Sequence, residues 1–387
     1  MKQFGKGKTL LQLIPRKEFD ELCTKWNIDK KVRKLTTWEQ VCTHVMAYVI
    51  RLESLREIEA VLGVPRSTFS DANKSRCSGF FQELCEVLIT QVARESRDRK
   101  IKRALKQLFV IDSTECRSHG SMSTTLPLWQ QRASLGKKKA SFKVHTVWNV
   151  GDEWVDDFII TPNRVHDGKA CFKFAIKPDR IYVFDKAYHD IRFWLKIVKN
   201  GSHFVTRLKE SPARRKLGAQ VLKESGDKDG VLWEGSCSRA YSNLLRLPKD
   251  ERNVNFRHII YRDPESKRIF DFATSDFKSS GQEIADTYKK RWAVELLFKW
   301  LKGHLNIRYF ASKNVNAIEI QVAIAVLVQL LVRQYREKNR QVLTPWQCLR
   351  NIRVNLIHQS LSENALHSSI GSKYFARAAL NRQRYAG

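Results

Sequence analysis

None of the eight cysteines (Cys23, Cys42, Cys77, Cys85, Cys116, Cys171, Cys237 and Cys348) belongs to a C-x-x-C pair. That scatter argues against a zinc site and for reduced thiols in a cytosol. The opening stretch MKQFGKGKTLLQLIP has basic residues but no long apolar region and no small-residue cleavage site, so no secretion signal is expected. The most apolar segment, residues 318–332, is interrupted by Glu319, Gln321 and Gln329. It reads as a buried amphipathic helix, too short to span a bilayer. Internal repeats and low-complexity tracts are absent as well. Acidic residues are scarce beside basic ones, 40 against 70, which leaves a formal net charge of +30. Such a field favours a polyanionic partner, with an anionic membrane surface as the rival. For a basic cytosolic chain without zinc, nucleic acid is the expected partner. At 387 residues, 42% of them hydrophobic, the chain has room for two or three domains with a real core.

Residues 1–105 read as a helical domain. Thr37–Leu52 is amphipathic, and Phe80–Val92 has apolar positions at helical spacing. Between them, Ser54 can cap a helix through Leu62, Gly63 supplies the turn, and Pro65 with Ser67 opens a second helix. This is a helix–turn–helix pattern, with an ordinary helical hairpin as the alternative. On the second helix Arg66, Ser67, Thr68, Ser70, Asn73 and Lys74 are expected to point outward, toward DNA phosphates and base edges. A basic connector, residues 94–106, follows.

The period then changes. Strands are expected at Leu108–Ile111, 142–150, 154–161, Arg180–Phe184 and 203–208, with helices at 167–177 and 187–198. The order β-β-β-α-β-α-β predicts a ribonuclease H-like α/β core in which the first and fourth strands lie side by side. Asp112 and Asp185 end those strands. Residues 210–278 read as a β-rich insertion, containing a hairpin around the turn Asp263–Ser266. Ser280 and Glu283 form a capping box that starts a helix to about Lys302, which Gly303 can close. The core is expected to resume over 279–340, ahead of a C-terminal helical region, 341–387.

On that helix Tyr288, Arg291, Glu295 and Lys302 stand at offsets of 0, 3, 7 and 14, within roughly 60° around the axis of a regular α-helix. Leu296, Leu297, Trp300 and Leu301 form its expected core side. Three carboxylates on separate elements, Asp112, Asp185 and Glu295, suit divalent cations that serve phosphodiester chemistry, namely Mg2+ with Mn2+ as a substitute. Without metal they repel one another and tend to hold a proton. Arg291 and Lys302 can contact phosphates, and Tyr288 can donate a hydrogen bond or stack on a nucleotide. The alternative for this quartet is a solvated face on which Arg291 pairs with Glu295.

The spacing Y-x2-R-x3-E-x6-K at Tyr288, Arg291, Glu295 and Lys302 resembles the signature of DDE transposases of insertion-sequence family four. LFVIDST around Asp112 and YVFDKAY around Asp185 are similar to its two other acidic motifs. KKKASFKVH at 137–145 and the run 274–302 resemble its flanks. The resemblance covers residues 105–335. It departs at Ala187, where the family commonly has glycine, an exchange that matters if the backbone there needs a positive φ. The resemblance implies a bacterial cytoplasmic, nucleoid-associated transposase that binds the terminal inverted repeats of its element. It implies Mg2+-dependent cut-and-paste cleavage and strand transfer, in several members through a DNA hairpin, and a homodimer on paired ends. It also implies that the β-rich insertion helps hold the hairpin, where Trp233 is the candidate surface for a flipped base. Trp154 and Trp292 are rivals, and a core position is the alternative for each. Two further readings stay open: a metal-dependent nuclease without strand transfer, and a catalytically retired DNA-binding regulator.

Overall fold

The computed structural model describes residues 10–97, 107–118, 140–208, 220–224, 230–237, 255–304, 314–339 and 343–366. Residues 98–106 of the basic connector, 137–139 of the 137–145 motif, most of 210–230, and 367–387 lie outside the described residues. The chain divides into two compact units, residues 1–94 with 299–387 and residues 95–298. In chain order the helices are α1 (Arg16–Trp26), α2 (Thr37–Ile50), α3 (Leu55–Leu62), α4 (Arg66–Ser75), α5 (Ser78–Arg97), α6 (Asp167–Ala170), α7 (Ile191–Lys199), α8 (Gly281–Lys289), α9 (Ala293–His304), α10 (Val315–Lys338) and α11 (Pro345–Leu366). The strands are β1 (Leu108–Ser118), β2 (Ala140–Asn149), β3 (Trp154–Pro162), β4 (Ile181–Phe184), β5 (His203–Arg207), β6 (Gln220–Glu224), β7 (Val231–Cys237), β8 (Phe256–Arg262) and β9 (Ile269–Thr274).

The first unit is helical. α2 starts on a complete capping box, Thr36 with Glu39. The hairpin α3–α4 forms as its sequence suggests: Ser54 accepts from the Glu57 amide, and Gly63 ends α3 at φ +69°. Phe69 and Ala72 of α4 join Leu35, Ala47 and Ile58 in one apolar cluster. α10 carries an almost unbroken run of buried residues from Ala317 to Gln334. At 24 residues it is long and apolar enough to cross a bilayer by length and composition alone, so the sequence-based view that it is too short does not hold; 78% of its most apolar window is buried within the structure. Polar contacts tie α10 down. The Tyr48 hydroxyl donates to the Gln321 carbonyl at 2.8 Å, and Asn316 Nδ2 donates to the carbonyls of Asn73 and Arg76 at 3.0 and 2.6 Å. One side chain of α10 thus satisfies carbonyls left open at the end of α4.

The second unit is built on a nine-stranded mixed sheet in the order β3-β2-β1-β4-β5-β9-β8-β7-β6. β1 and β4 are parallel neighbours, with Leu108–Ile111 opposite Ile181–Phe184. β5 continues the parallel run beside β4. β9 then pairs antiparallel with β5, so the expected insertion is a direct extension of the core sheet. The β8–β9 hairpin forms around Asp263, whose Oδ1 accepts the amides of Glu265 and Ser266 at 3.1 and 2.8 Å. The Ser266 amide, with Lys289 and the Ser266 hydroxyl, holds the Asp263 carboxyl down at about 2. Against the parallel strands α7 buries Phe193, Trp194 and Ile197. The Trp194 ring stacks on Phe204 at 4.9 Å.

Candidate active site

Each element that carries a candidate residue is fixed by a different device. β1 does not end at Asp112 as its sequence suggests; it runs on to Ser118, paired throughout with β2. What ends at Ile111 and Phe184 is the pairing of β1 with β4. Asp112 and Asp185 are therefore the next residues on two parallel neighbouring strands, at the point where the ladder opens. Asp185 caps a 3-10 turn, Lys186–Tyr188, by accepting the Ala187 amide at 2.6 Å. Ala187 is not among the residues with positive φ, so alanine fits there without strain.

The third element is held by the antiparallel half of the sheet. Arg257 of β8 donates to the Asp276 carbonyl at 3.1 Å, to the Ser279 carbonyl, and to Glu234 at 2.8 Å. Ser280 and Glu283 then open α8 with a full capping box. A Cβ at Gly281 would lie 2.4 Å from the Glu234 carboxylate, so this approach requires glycine. Farther along, Tyr261 donates to Gln282 at 3.0 Å, and Lys289 pairs with Asp263 at 3.2 Å. The helix expected to run unbroken to Lys302 is instead divided by a 3-10 turn, Lys290–Trp292, between α8 and α9.

That break changes what each side chain faces. Tyr288, at the end of α8, is half-buried with its ring 5.0 Å from Phe272, and burial raises its phenol pKa. Arg291, inside the turn, donates from Nη1 to Asp112 Oδ2 at 2.6 Å, and this pair is largely shielded from solvent. The sequence-based alternative, Arg291 paired with Glu295, is not the bond that forms. Glu295 is exposed in the first turn of α9. Lys302, two helical turns beyond it, is half-buried in the part of α9 that belongs to the first unit. Leu297, Trp300 and Leu301 are buried as expected, but Leu296 is 70% exposed, and so is Trp292 at 66%.

Burial pushes the Asp112 carboxyl up to about 6, and the charges of Asp185 and Glu295 push the same way against Arg291 and the Ser113 amide. Asp112 thus has one guanidinium as its ion-pair partner and two further carboxylates acting on its charge. This donor set, all hard oxygens, fits a divalent metal in its chemistry. Among the described residues, though, no three carboxylate, histidine or cysteine groups are close enough to hold one ion. Arg291 occupies Asp112 in this arrangement, with its positive charge where a cation would compete.

The remaining candidates fall into two groups. On α4, Arg66, Ser67 and Lys74 are exposed, and Thr68 and Ser70 are half-exposed. Asn73 is not outward: it is 4% exposed, and its Oδ1 accepts from Gln40 and His44, both at 2.7 Å. It lies four residues after Phe69 and so shares that residue's inner face. Trp233 is half-buried on β7, its ring lying across Gly235 and edge-on to His258 at 5.2 Å. Trp154 is a core residue, 2% exposed against Phe109.

Sequence reasoning missed a polar group that centres on β2. Lys143 Nζ pairs with Asp167 at 2.9 Å, and His145 contacts Thr161 at 2.8 Å and the Tyr188 hydroxyl at 3.2 Å. Tyr188 is fully buried and also hydrogen-bonds Ser113, next to Asp112. The available signal was a charged residue and a histidine, Lys143 and His145, two apart on one face of a largely buried strand.

Comparison with known proteins bears on this geometry. The profile of the transposase DDE domain matches residues 103–331, and that of a domain of unknown function (DUF4372) matches residues 8–68. A putative transposase, y4zB, of Sinorhizobium fredii is 28% identical over 296 residues, 75% of this chain and 76% of its own. A probable transposase for insertion sequence element IS5377 of Geobacillus stearothermophilus is 25% identical over 316 residues, 80% and 79% of the two chains. Among solved structures, a piggyBac transposase synaptic complex with hairpin DNA aligns at a TM-score of 0.49 with 13% identity, over 97% of this chain and 84% of that one.

Proposed function

Because the chain belongs to the transposase DDE domain family, we propose that it binds the terminal inverted repeats of a bacterial insertion sequence and moves that element by cutting its ends and joining them to target DNA. Its standing as a DNA-cleaving, strand-transferring enzyme rests on that membership and on relatives named as transposases. The observation that carries the site is the parallel register of β1 and β4, which sets Asp112 beside Asp185 where the two strands part. Arg291 reaching Asp112 supports the same location.

In this reading Asp112, Asp185 and Glu295 would hold Mg2+, with Mn2+ as a substitute. When bound, the metal activates the attacking water or 3′-hydroxyl and stabilises the leaving oxygen. The protein's own groups do the rest. Arg291, which donates to Asp112 here, is the guanidinium placed to take a phosphate oxygen of the bound strand in a bidentate hydrogen bond. Tyr288, held against Phe272, presents its hydroxyl as a fixed donor to the same strand. Lys302 adds a phosphate contact farther along α9. Arg66, Ser67, Thr68, Ser70 and Lys74 read the element end from α4. Trp233 serves as a stacking surface if a base leaves the duplex, as a hairpin intermediate requires. The enzyme works in the bacterial cytoplasm as a homodimer on paired ends.

The test is strand transfer. A pre-cut element end, taken from the DNA flanking the gene, is incubated with the protein, Mg2+ and supercoiled plasmid. Joined products are expected. Cleavage without joining would leave a nuclease, and binding without cleavage a DNA-binding regulator.

A further inference from the structure

Beside the Asp185 turn lies an open cleft of about 450 Å3 whose lining includes His166, Lys169, Phe172, His189, Asp190 and Arg192. None of these residues takes part in the site described above. We propose that this cleft holds a backbone phosphate of the DNA strand that passes Asp185, gripped by Lys169 and Arg192. The proposal rests on the transposase reading and adds to it a named contact on the α6 and α7 side of the site.

Three observations support it. First, the walls are pinned to the sheet. Lys143 anchors Asp167, the first residue of α6, and buried Tyr188 anchors the segment that leads into His189 and Asp190. A cleft with fixed walls can hold a ligand without first ordering itself.

Second, the carboxylates at the cleft are already engaged. Asp167 is paired inward with Lys143, with 16% of its side chain exposed. Asp190 caps α7 through the Arg192 amide at 2.9 Å and takes the Arg192 guanidinium on both oxygens, Nε at 3.0 Å and Nη2 at 2.6 Å. Arg192 also stands over the Phe172 ring at 5.3 Å. Those bonds use two of its five donors and orient the others.

Third, Lys169 is exposed and forms no ion pair among the described residues, and Lys173 and Lys186 are exposed on the same two segments. His166, also exposed, adds a ring N–H donor. The arrangement of an oriented arginine fork, an uncommitted lysine and an imidazole donor next to a candidate phosphodiester site suits a phosphate oxygen.

The experiment reads binding alone, in EDTA, by fluorescence anisotropy of a labelled duplex from the DNA flanking the gene. Lys169→Glu is expected to weaken binding about tenfold at 0.1 M salt and to make the slope of log affinity against log salt shallower by about one. Lys17→Glu, an equal charge change at a residue whose side chain is 85% exposed, is the control and is expected to change little. A second measurement neutralises single phosphates with methylphosphonate. At one phosphate the loss seen with the unsubstituted protein is expected to disappear in Lys169→Ala, so that the two changes are not additive. Lys169→Glu binding like the unsubstituted protein, or only as weakly as Lys17→Glu, would overturn the proposal, and so would additivity at every phosphate. Coupling to one phosphate without any strand transfer would keep the cleft and reject the transposition reading. Strand transfer without coupling would do the reverse, and a chain that binds no duplex would lose both.

Discussion

In the helical unit, Gln40, His44, Asn73 and Arg76 form a buried hydrogen-bonded set. Arg76 donates to Gln40 at 2.8 Å and to the Leu35 carbonyl, and it pairs with Asp29 at 3.4 Å. Gln40 and His44 both donate to Asn73, and Asp29 in turn accepts from Thr37 at 2.7 Å. One guanidinium pairs with one carboxylate, and Glu39 adds a further negative charge near Arg76. In the sheet unit, Arg291 meets Asp112 while Asp185 and Glu295 add two more negative charges. Both sets are partly or wholly buried, but in the second, among the described residues, Asp112 has one ion-pair partner and two further carboxylates acting on it. A set held together by hydrogen bonds is explained by folding; one in which carboxylates oppose one another's charge is explained by what it binds.

The largest expected effect separates the two by chemistry. Asp112→Ala, Asp185→Ala and Glu295→Ala should each cut DNA cleavage by more than about 1000-fold, or ~4 kcal/mol of barrier. Binding to element ends should stay within a few fold in all three. Single-turnover cleavage with a parallel binding titration checks this. Glu295 is the sharpest of the three, being exposed where Asp112 is not. Cleavage that survives Glu295→Ala would remove the helix-borne carboxylate from the site.

Breaking the hydrogen-bonded set should act on stability instead. Arg76→Ala leaves Gln40 Oε1 without its donor and Asp29 with only its Thr37 bonds, and should cost about 3 kcal/mol, the low end for removing one member of a shielded pair. Urea unfolding of the first unit's helices reads this as a lower midpoint at unchanged slope. The point matters for testing the α4 face. Removing the first hundred residues would also strip α10 of Tyr48 and of the α4 carbonyls it caps. Loss of end binding in such a truncation would report unfolding as much as recognition. Arg66→Ala with Ser67→Ala leaves those contacts in place and asks the question cleanly.

Where the sequence was legible, the controlling interaction was local. The capping boxes at Thr36 and Ser280, the α3–α4 turn at Gly63 and the hairpin turn at Asp263 each depend on residues within a few positions of one another. The two aspartates were legible because strand order predicts which ladder opens beside them. The helix-borne residues were legible as a spacing but not as a face. Three residues in a 3-10 turn rotate about 60° further than three in an α-helix, so a phase carried across Lys290–Trp292 is wrong beyond it. Leu296 was therefore expected inside and lies outside. Asn73 failed for another reason. Its inner position follows from Phe69, but its polarity suggested an outward role, and the partners that satisfy it, Gln40 and His44, lie some thirty residues away.

Divalent metal should sharpen the contrast. If the carboxylate set is a metal site, Mg2+ or Mn2+ should stabilise the folded chain by about 2.7 kcal/mol at a hundred times its dissociation constant. Differential scanning calorimetry should show that gain disappear in Glu295→Gln and persist in Arg76→Ala. A gain that survives Glu295→Gln would place the metal elsewhere.

Acid should sharpen it from the other side, through His44. Burial holds His44 down at about 4, and its Nε2–H bond to Asn73 only partly offsets that. The folded pKa lies below the unfolded value of 6.5, so below 6.5 the unfolded chain takes up a proton that the folded chain refuses. The stability present above pH 6.5 therefore falls as the pH drops, and the loss levels off near 4. At pH 5 it should reach about 2 kcal/mol. His145 in the sheet unit is held down in the same way, also by burial, and adds a loss of the same sign. His44→Gln should remove only the His44 part. The difference between the two stability profiles, measured by urea unfolding from pH 7.5 to 4.5, should therefore narrow with acid over that window. A constant difference would mean that His44 is protonated in the folded helical unit.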